Sequence, residues 1–329
     1  MKRRVILQLG IFAIAAPTSV LAQVQKWHRL AVLATADERS VKSFFLDPFL
    51  AGMLDLGYAI DRNLKLDIRY AGGDMSRLPA LADELIALKP DVLLGVEPTA
   101  VVLARKTSTI PIVLMSSSDP VAAGLVRSLA HPGTNVTGMA HLYVDLAAKQ
   151  IELLTEMAPK MSRVAILSDS SPLVREVAER FEKAAHAAAI VKGLQPIKDS
   201  AQDADGVRRA FDRFKAERAE GVIVSPAGTL VFLRYEIMRQ ANIARLPAIY
   251  AQGDVVRDGG LASYGADVPA SYRRDIPRFV DRILRGDKPA SLPVQLTTKY
   301  ELVVNVKAGR DIGLSIPKSI LLRADKVIE

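Results

Sequence analysis

The sequence predicts an α/β protein of two similar lobes, each a doubly wound parallel sheet, with a ligand cleft between them. Three observations predict it. The stretch 91–121 holds two short apolar runs, Val92-Leu93-Leu94-Gly95-Val96 and Ile112-Val113-Leu114-Met115. Each ends in a small polar turn that opens a helical pattern, the mark of consecutive parallel strands buried on both faces. The same order returns at Gly221-Val222-Ile223-Val224-Ser225-Pro226 and Leu246-Pro247-Ala248-Ile249-Tyr250-Ala251. A length of 329 residues at 50% hydrophobic content suits two cores of ordinary domain size.

Taken in order, the chain opens with Lys2-Arg3-Arg4, an apolar run from Val5 to Ala16 and Val20-Leu21-Ala22 before Gln23. This is the pattern of a secretory signal peptide cut after Ala22, and it places the mature protein in the periplasm. No cysteine is present, so disulfides, thiolate metal sites and a lipid-carrying cysteine are excluded. Leu30 to Leu33 is the first strand, and Thr35-Ala36-Asp37 is its turn. Phe44, Phe45, Phe49, Leu50, Met53 and Leu54 recur at helical spacing and read as lobe core, with Gly57-Tyr58 ending that helix. Leu64 to Tyr70 alternates as a strand, and Ser76 opens a helix that Pro90 stops. A helix from Thr99 to Lys106 joins the two strands of the 91–121 stretch; another is expected from Pro120 to Ala130, before a short strand Val136 to Met139.

The second half begins with a helix from Ala147 to Met157, the strand Arg163 to Leu167 and the turn Ser168-Asp169-Ser170-Ser171-Pro172. A long helix through Ala188, a strand around Val191 and a helix from Asp203 to Arg218 lead to the repeated strands at Val222 and Ala248. The tail offers a strand Leu261 to Tyr264, a helix Ala270 to Leu284 and a strand Glu301 to Asn305, pieces too few for a third domain.

Charge and motifs narrow the function. The net charge is +8, of which the leader carries three, and its basic residues are interleaved with acids while aromatics make up only 5%. That is a solvated face, and a nucleic-acid partner is excluded. Four scattered histidines show no metal spacing, no glycine-rich or Walker loop supports a nucleotide, and no G-x-S-x-G elbow is present. No cofactor and no metal are therefore expected, and the protein is not expected to be an enzyme.

What remains is reversible binding at the carboxyl ends of the strands, where helix N-termini and hydroxyls suit a carboxylate and an acid pairs an amine. The candidate ligand-binding residues are Thr35, Glu97, Thr99, Ser116, Ser117, Asp119, Ser168, Ser170, Ser225, Ala227, Tyr250 and Gln252. Thr99 and Asp119 also read as helix caps, so Asp119 has two competing roles: capping, or pairing a ligand amine. A zwitterion such as an amino acid satisfies both kinds of group. Two rivals are a secreted hydrolase using a turn serine, and the ligand-binding module of a receptor or sensor.

Longer stretches sharpen this. Leu56-Gly57-Tyr58, Arg77 to Ala82, Ile110 to Val113, Asp119-Pro120-Val121 through Val126 and Ser128 to Gly138 carry a family likeness, as do Gly259 to Gly265, Lys299 to Asn305, Gly313 to Pro317 and Leu321 to Glu329. Together they resemble the ABC-transporter substrate-binding protein family that includes tryptophan- and tyrosine-binding proteins. The resemblance implies a type I periplasmic-binding-protein fold with two discontinuous lobes joined by three crossings, 28–139 plus 252–285 in one and 140–251 plus 286–329 in the other. It also implies a monomer that delivers its ligand, with an aromatic amino acid as the candidate, to a membrane permease driven by an ATPase.

Overall fold

The computed structural model describes residues 26–116, 119–141, 143–226, 228–297 and 299–329. The expected leader and its cleavage site lie outside the described residues, as do Ser117 and Ala227.

The first half runs β1 (His28–Ala34), α1 (Glu38–Val41), a π-helical turn, α2 (Asp47–Asp55), β2 (Leu64–Tyr70), α3 (Leu78–Ala87), β3 (Val92–Val96), α4 (Glu97–Lys106), β4 (Ile112–Ser116) and β5 (Val136–Ala140). The second runs α5 (Tyr143–Met157), β6 (Arg163–Asp169), α6 (Arg175–Val191), β7 (Gln195–Ala201), α7 (Ala204–Ala216), β8 (Val222–Val224), α8 (Arg234–Ile243), β9 (Ala248–Tyr250), α9 (Gly253–Arg257) and β10 (Ala262–Ala266). The tail adds α10 (Val268–Leu284), β11 (Gln295–Leu296), β12 (Tyr300–Asn305), α11 (Val306–Asp311), α12 (Lys318–Arg323) and β13 (Lys326–Ile328).

One sheet is ordered β11-β5-β4-β3-β1-β2 and the other β13-β12-β10-β9-β8-β6-β7. All pairings are parallel except β10 with β12. The first five strands of each lobe thus lie in the order 2-1-3-4-5, and the order reverses between β1 and β3 and again between β6 and β8. Crevices open beyond the carboxyl ends of strands at such points.

Alternation explains why these strands read as unbroken apolar runs. Leu30, Val32, Leu94 and Val113 pack with Phe49 of α2 and Ile276 of α10 on one face, while Ala31, Leu33, Leu93 and Leu114 meet Leu81 of α3 and Leu103 of α4 on the other. In the second lobe Val164 and Ile166 meet α5 and α6, and Ala165 and Leu167 meet Phe211 and Phe214 of α7. Each such valine, leucine, isoleucine or phenylalanine side chain contributes about 1.5–3 kcal/mol on burial.

Four expectations are corrected. No helix spans Pro120 to Ala130; a single turn ends at Gly124, whose φ of +69° is left-handed, and the Leu125 and Val126 amides both donate to the Pro120 carbonyl. Val191 closes α6, and the strand expected there is β7, four residues further on. Within the stretch 252–285 assigned to the first lobe, α10 does cover the first sheet, but β10 pairs with β9 and β12 in the second. Within the stretch 286–329 assigned to the second lobe, β11 pairs with Met139 and Ala140 of β5 in the first sheet. The chain therefore crosses between sheets three times: from β5 to α5, from β10 to α10 and from β11 to β12.

Candidate functional site

The carboxyl ends of β1 and β3 face those of β6 and β8 across a cavity of about 130 Å³. Its wall is mostly apolar. Phe45, Met115, Val96 and Tyr272 line it from the first lobe, and Val174, Pro226, Val231 and Phe232 from the second. Phe45 is fixed from behind, stacked on buried Phe49 at 5.2 Å between ring centroids and edge-on to Tyr272 at 5.2 Å. Phe232 reaches across from the second lobe to pack on the first lobe's core.

The polar lining groups are Thr35, Glu97, Ser116 and Gln252. Thr35 follows β1 and is 3% exposed, and Ser116 ends β4. Glu97 is the first residue of α4, half-buried, with Pro98 behind it presetting the first turn. Its Oε2 accepts from the Asp119 amide at 3.5 Å. Gln252 follows β9 and is 9% exposed. The sequence candidates Thr35, Glu97, Ser116 and Gln252 are thus brought together at one cavity.

The other described candidates are placed elsewhere. Thr99 is fully buried and its hydroxyl donates to the Val96 carbonyl at 3.0 Å, locking the first turn of α4. It lies inside the helix, so it is not the N-cap. Tyr250 is enclosed in the second lobe's core, where burial pushes its hydroxyl pKa up. Ser168 is buried and donates to Glu182 Oε2 at 2.9 Å, Ser170 is exposed, and Ser225 is 2% exposed.

Asp119 does both things a carboxylate does at a turn, and both within the protein. Its Oδ1 accepts from the Ala122 amide at 3.0 Å and its Oδ2 from Arg180 Nη1 at 2.7 Å. Burial pulls its pKa up, but these donors and the Arg180 charge outweigh burial and hold the carboxyl below the usual range.

Sequence reasoning missed Phe45, Met115, Tyr272, Val231 and Phe232 as cavity wall. Phe45 carried a signal, since it lies in the first helical segment after the turn that ends β1; Val231 and Phe232 carried none, because they reach the cleft only through the short helical turn Gly228–Val231. It also passed over Asp169 in favour of the serines beside it. Asp169 is 4% exposed and its carboxylate accepts four bonds: from the amides of Ser171, Thr229 and Leu230 at 2.7, 2.6 and 3.2 Å, and from Thr229 Oγ1 at 2.7 Å.

The comparisons with known proteins agree with the two-lobe fold. Residues 31–328 match the family model described as ABC transporter substrate binding protein. A tyrosine-binding protein of Clostridioides difficile is 25% identical over 265 residues, 78% of this chain and 73% of that one. A solved conserved domain protein of Vibrio cholerae is 28% identical, covering 92% of this chain and all of that one with a TM-score of 0.82. The ABC domain of Streptococcus pneumoniae solved with L-Trp has the same coverage and TM-score at 24% identity. The fold is that of type I periplasmic-binding-protein-like substrate-binding proteins. The family is one of substrate-binding proteins, which sets aside the hydrolase with a turn serine. The chain belongs to the ABC transporter substrate-binding protein family.

Proposed function

We propose that this chain is the periplasmic binding component of an ABC importer, cut after Ala22, that holds an amino acid with an aromatic side chain and passes it to a membrane permease driven by an ATPase. The observation that carries the reading is the division of labour in the cavity. Rings and aliphatic side chains of both lobes make the wall, while the carboxylate and hydroxyl groups come from the first lobe. A space of about 130 Å³ is of ring size, since an apolar cavity of about 150 Å³ takes up benzene. Glu97 suits the ligand ammonium, and the hydroxyls of Thr35 and Ser116 beside the N-terminal turn of α4 suit its carboxylate. The tyrosine-binding relative and the L-Trp complex support the same ligand class.

Thermal shift of the mature protein, followed by calorimetric titration, tests this. L-tyrosine, L-tryptophan or L-phenylalanine should raise the melting temperature and be recovered unchanged afterwards. Stabilisation by sugars, nucleosides or organic acids with none from amino acids would overturn the reading.

A further inference from the structure

We infer that Asp169 is a positioning residue that shapes the side-chain pocket: its carboxylate occupies the anion-accepting end of the second lobe and ties down the turn that carries Val231 and Phe232 into the cleft. The inference rests on the amino-acid reading above for the ligand, and on geometry alone for the clasp.

In each lobe the reversal of strand order offers the same kind of place, beyond the carboxyl ends of the first and third strands. In the first lobe Thr35 and Glu97 stand there and face the cavity. In the second lobe the place is filled from within. Asp169 ends β6, and its Oδ2 takes both the amide and hydroxyl of Thr229 and the amide of Leu230, the first free N–H groups of the short helical turn Gly228–Val231. Oδ1 takes the Ser171 amide, which turns the chain back toward Val174. A carboxylate with four donors and almost no exposure has no capacity left for a ligand ammonium, and the donors it uses are lost to a ligand carboxylate.

Gly228 shows how close the approach is. It sits at φ +66°, and a Cβ there would stand 2.5 Å from Asp169 Oδ2 and 2.6 Å from Val174 Cγ2. Only glycine lets the turn lie against the carboxylate in that conformation. The Phe232 and Leu233 amides then bond back to the Thr229 carbonyl at 3.0 and 3.1 Å, so the position of Thr229 sets that of Phe232. The cleft is thus unequal. The first lobe reads the charged end of the ligand, and the second presents, Gln252 apart, an apolar wall whose place is fixed by an acid that never touches the ligand.

The test compares wild type with Asp169→Asn and Gly228→Ala. An asparagine offers one acceptor where the carboxylate offers two, and its NH₂ meets donors. Hydrogen exchange of the unliganded protein over residues 228–233 should speed up at least about tenfold in both variants, as loss of bonds to a charged acceptor implies. With L-tyrosine and L-alanine as probes, both variants should bind L-tyrosine roughly tenfold or more weakly. Their L-alanine affinity should stay within about threefold, since a methyl group does not reach the wall. A core variant, Phe214→Leu, should lower the melting temperature and leave the tyrosine-to-alanine ratio unchanged. Unchanged exchange in Asp169→Asn overturns the clasp, and an unchanged ratio overturns the shaping role. A wild type that binds neither amino acid overturns the ligand reading instead, and exchange still decides the clasp.

Discussion

Arg180 Nη1 of α6 lies 2.7 Å from Asp119 Oδ2, so that an ion pair joins the second lobe to the segment that follows β4 of the first. The two side chains are 42% and 25% exposed, which leaves the pair open to solvent and limits its strength. Arg180→Gln should therefore weaken ligand binding by up to about fivefold at low salt, the span of 0.2–1 kcal/mol that exposed pairs supply. At roughly 1 M salt, where the screening length falls to about 3 Å, the difference between variant and wild type should shrink. Titrations at both ionic strengths check it; an effect that salt does not reduce would mean that Arg180 acts through packing.

Glu97→Gln keeps the shape of the side chain and removes its charge. If Glu97 pairs the ligand ammonium in a cavity closed by both lobes, affinity for L-tyrosine should fall by roughly 2–5 kcal/mol. Calorimetry on the variant, with 3-(4-hydroxyphenyl)propionate as a ligand lacking the amine, separates the roles. The wild type should discriminate strongly against the amine-free acid and the variant should not.

Phe232 lines the cavity and packs on the first lobe's core while belonging to the second. Phe232→Ala should reduce affinity for an aromatic amino acid by about 2–3 kcal/mol, the order of a large apolar side chain leaving water. The same change should cost the unliganded protein less stability than Phe49→Ala, a fully buried residue of one lobe, for which about 3–5 kcal/mol is expected. Equal losses of stability in urea would contradict the assignment of Phe232 to the cleft.

His141 follows β5 at the first crossing, fully buried, with its Nδ1 2.6 Å from Thr297 Oγ1 at the third. Burial lowers its pKa from 6.5 to about 4, against the smaller opposing pull of Asp275. The folded protein thus disfavours the protonated ring. This contribution is fully present above pH 6.5, where the ring is neutral in both states. It is lost as pH falls toward 4, because only the unfolded chain takes up the proton. The loss is of order 3 kcal/mol across that window. Urea unfolding at pH 7.5 and 4.5 should show a drop in wild type that His141→Asn largely removes.

Gly52 of α2 lies against α10, where a Cβ would collide with the Arg273 carbonyl oxygen and stand 2.6 Å from Pro277 Cγ. Gly52→Ala should destabilise the first lobe by about 1–3 kcal/mol through overpacking, despite alanine's better helix propensity. A higher melting temperature in this variant would show that the two helices separate at little cost.

Legibility in the sequence followed burial. Strands β1, β3, β4, β6 and β8 lie between two layers of helices and so announce themselves as apolar runs. Strand β7 is an edge strand, Gln-Pro-Ile-Lys-Asp-Ser-Ala, half polar and therefore silent, while the helix before it ends on Val191, an apolar residue that is 84% exposed. Strand β11 is two residues long, and nothing local says which sheet receives it. In the site, Thr35, Glu97, Ser116 and Gln252 were legible because strand ends determine them. Asp169 was not, because its partners lie 60 residues away at Thr229 and Leu230, and its neighbouring serines look equally polar.

The return of β11 to β5 bears on how the chain is made. The first sheet lacks its last strand until residues 295–296 have emerged, by which time every strand from β6 to β10 has already been synthesised. α10, which covers one face of the first sheet, also comes late. During synthesis the first half must therefore wait with the edge of β5 unpaired and the apolar face of β1, β3 and β4 covered by α2 but not yet by α10. A chain cut short before residue 295 would keep that edge open to pairing with other chains, and neither lobe can be obtained as one continuous fragment of the sequence.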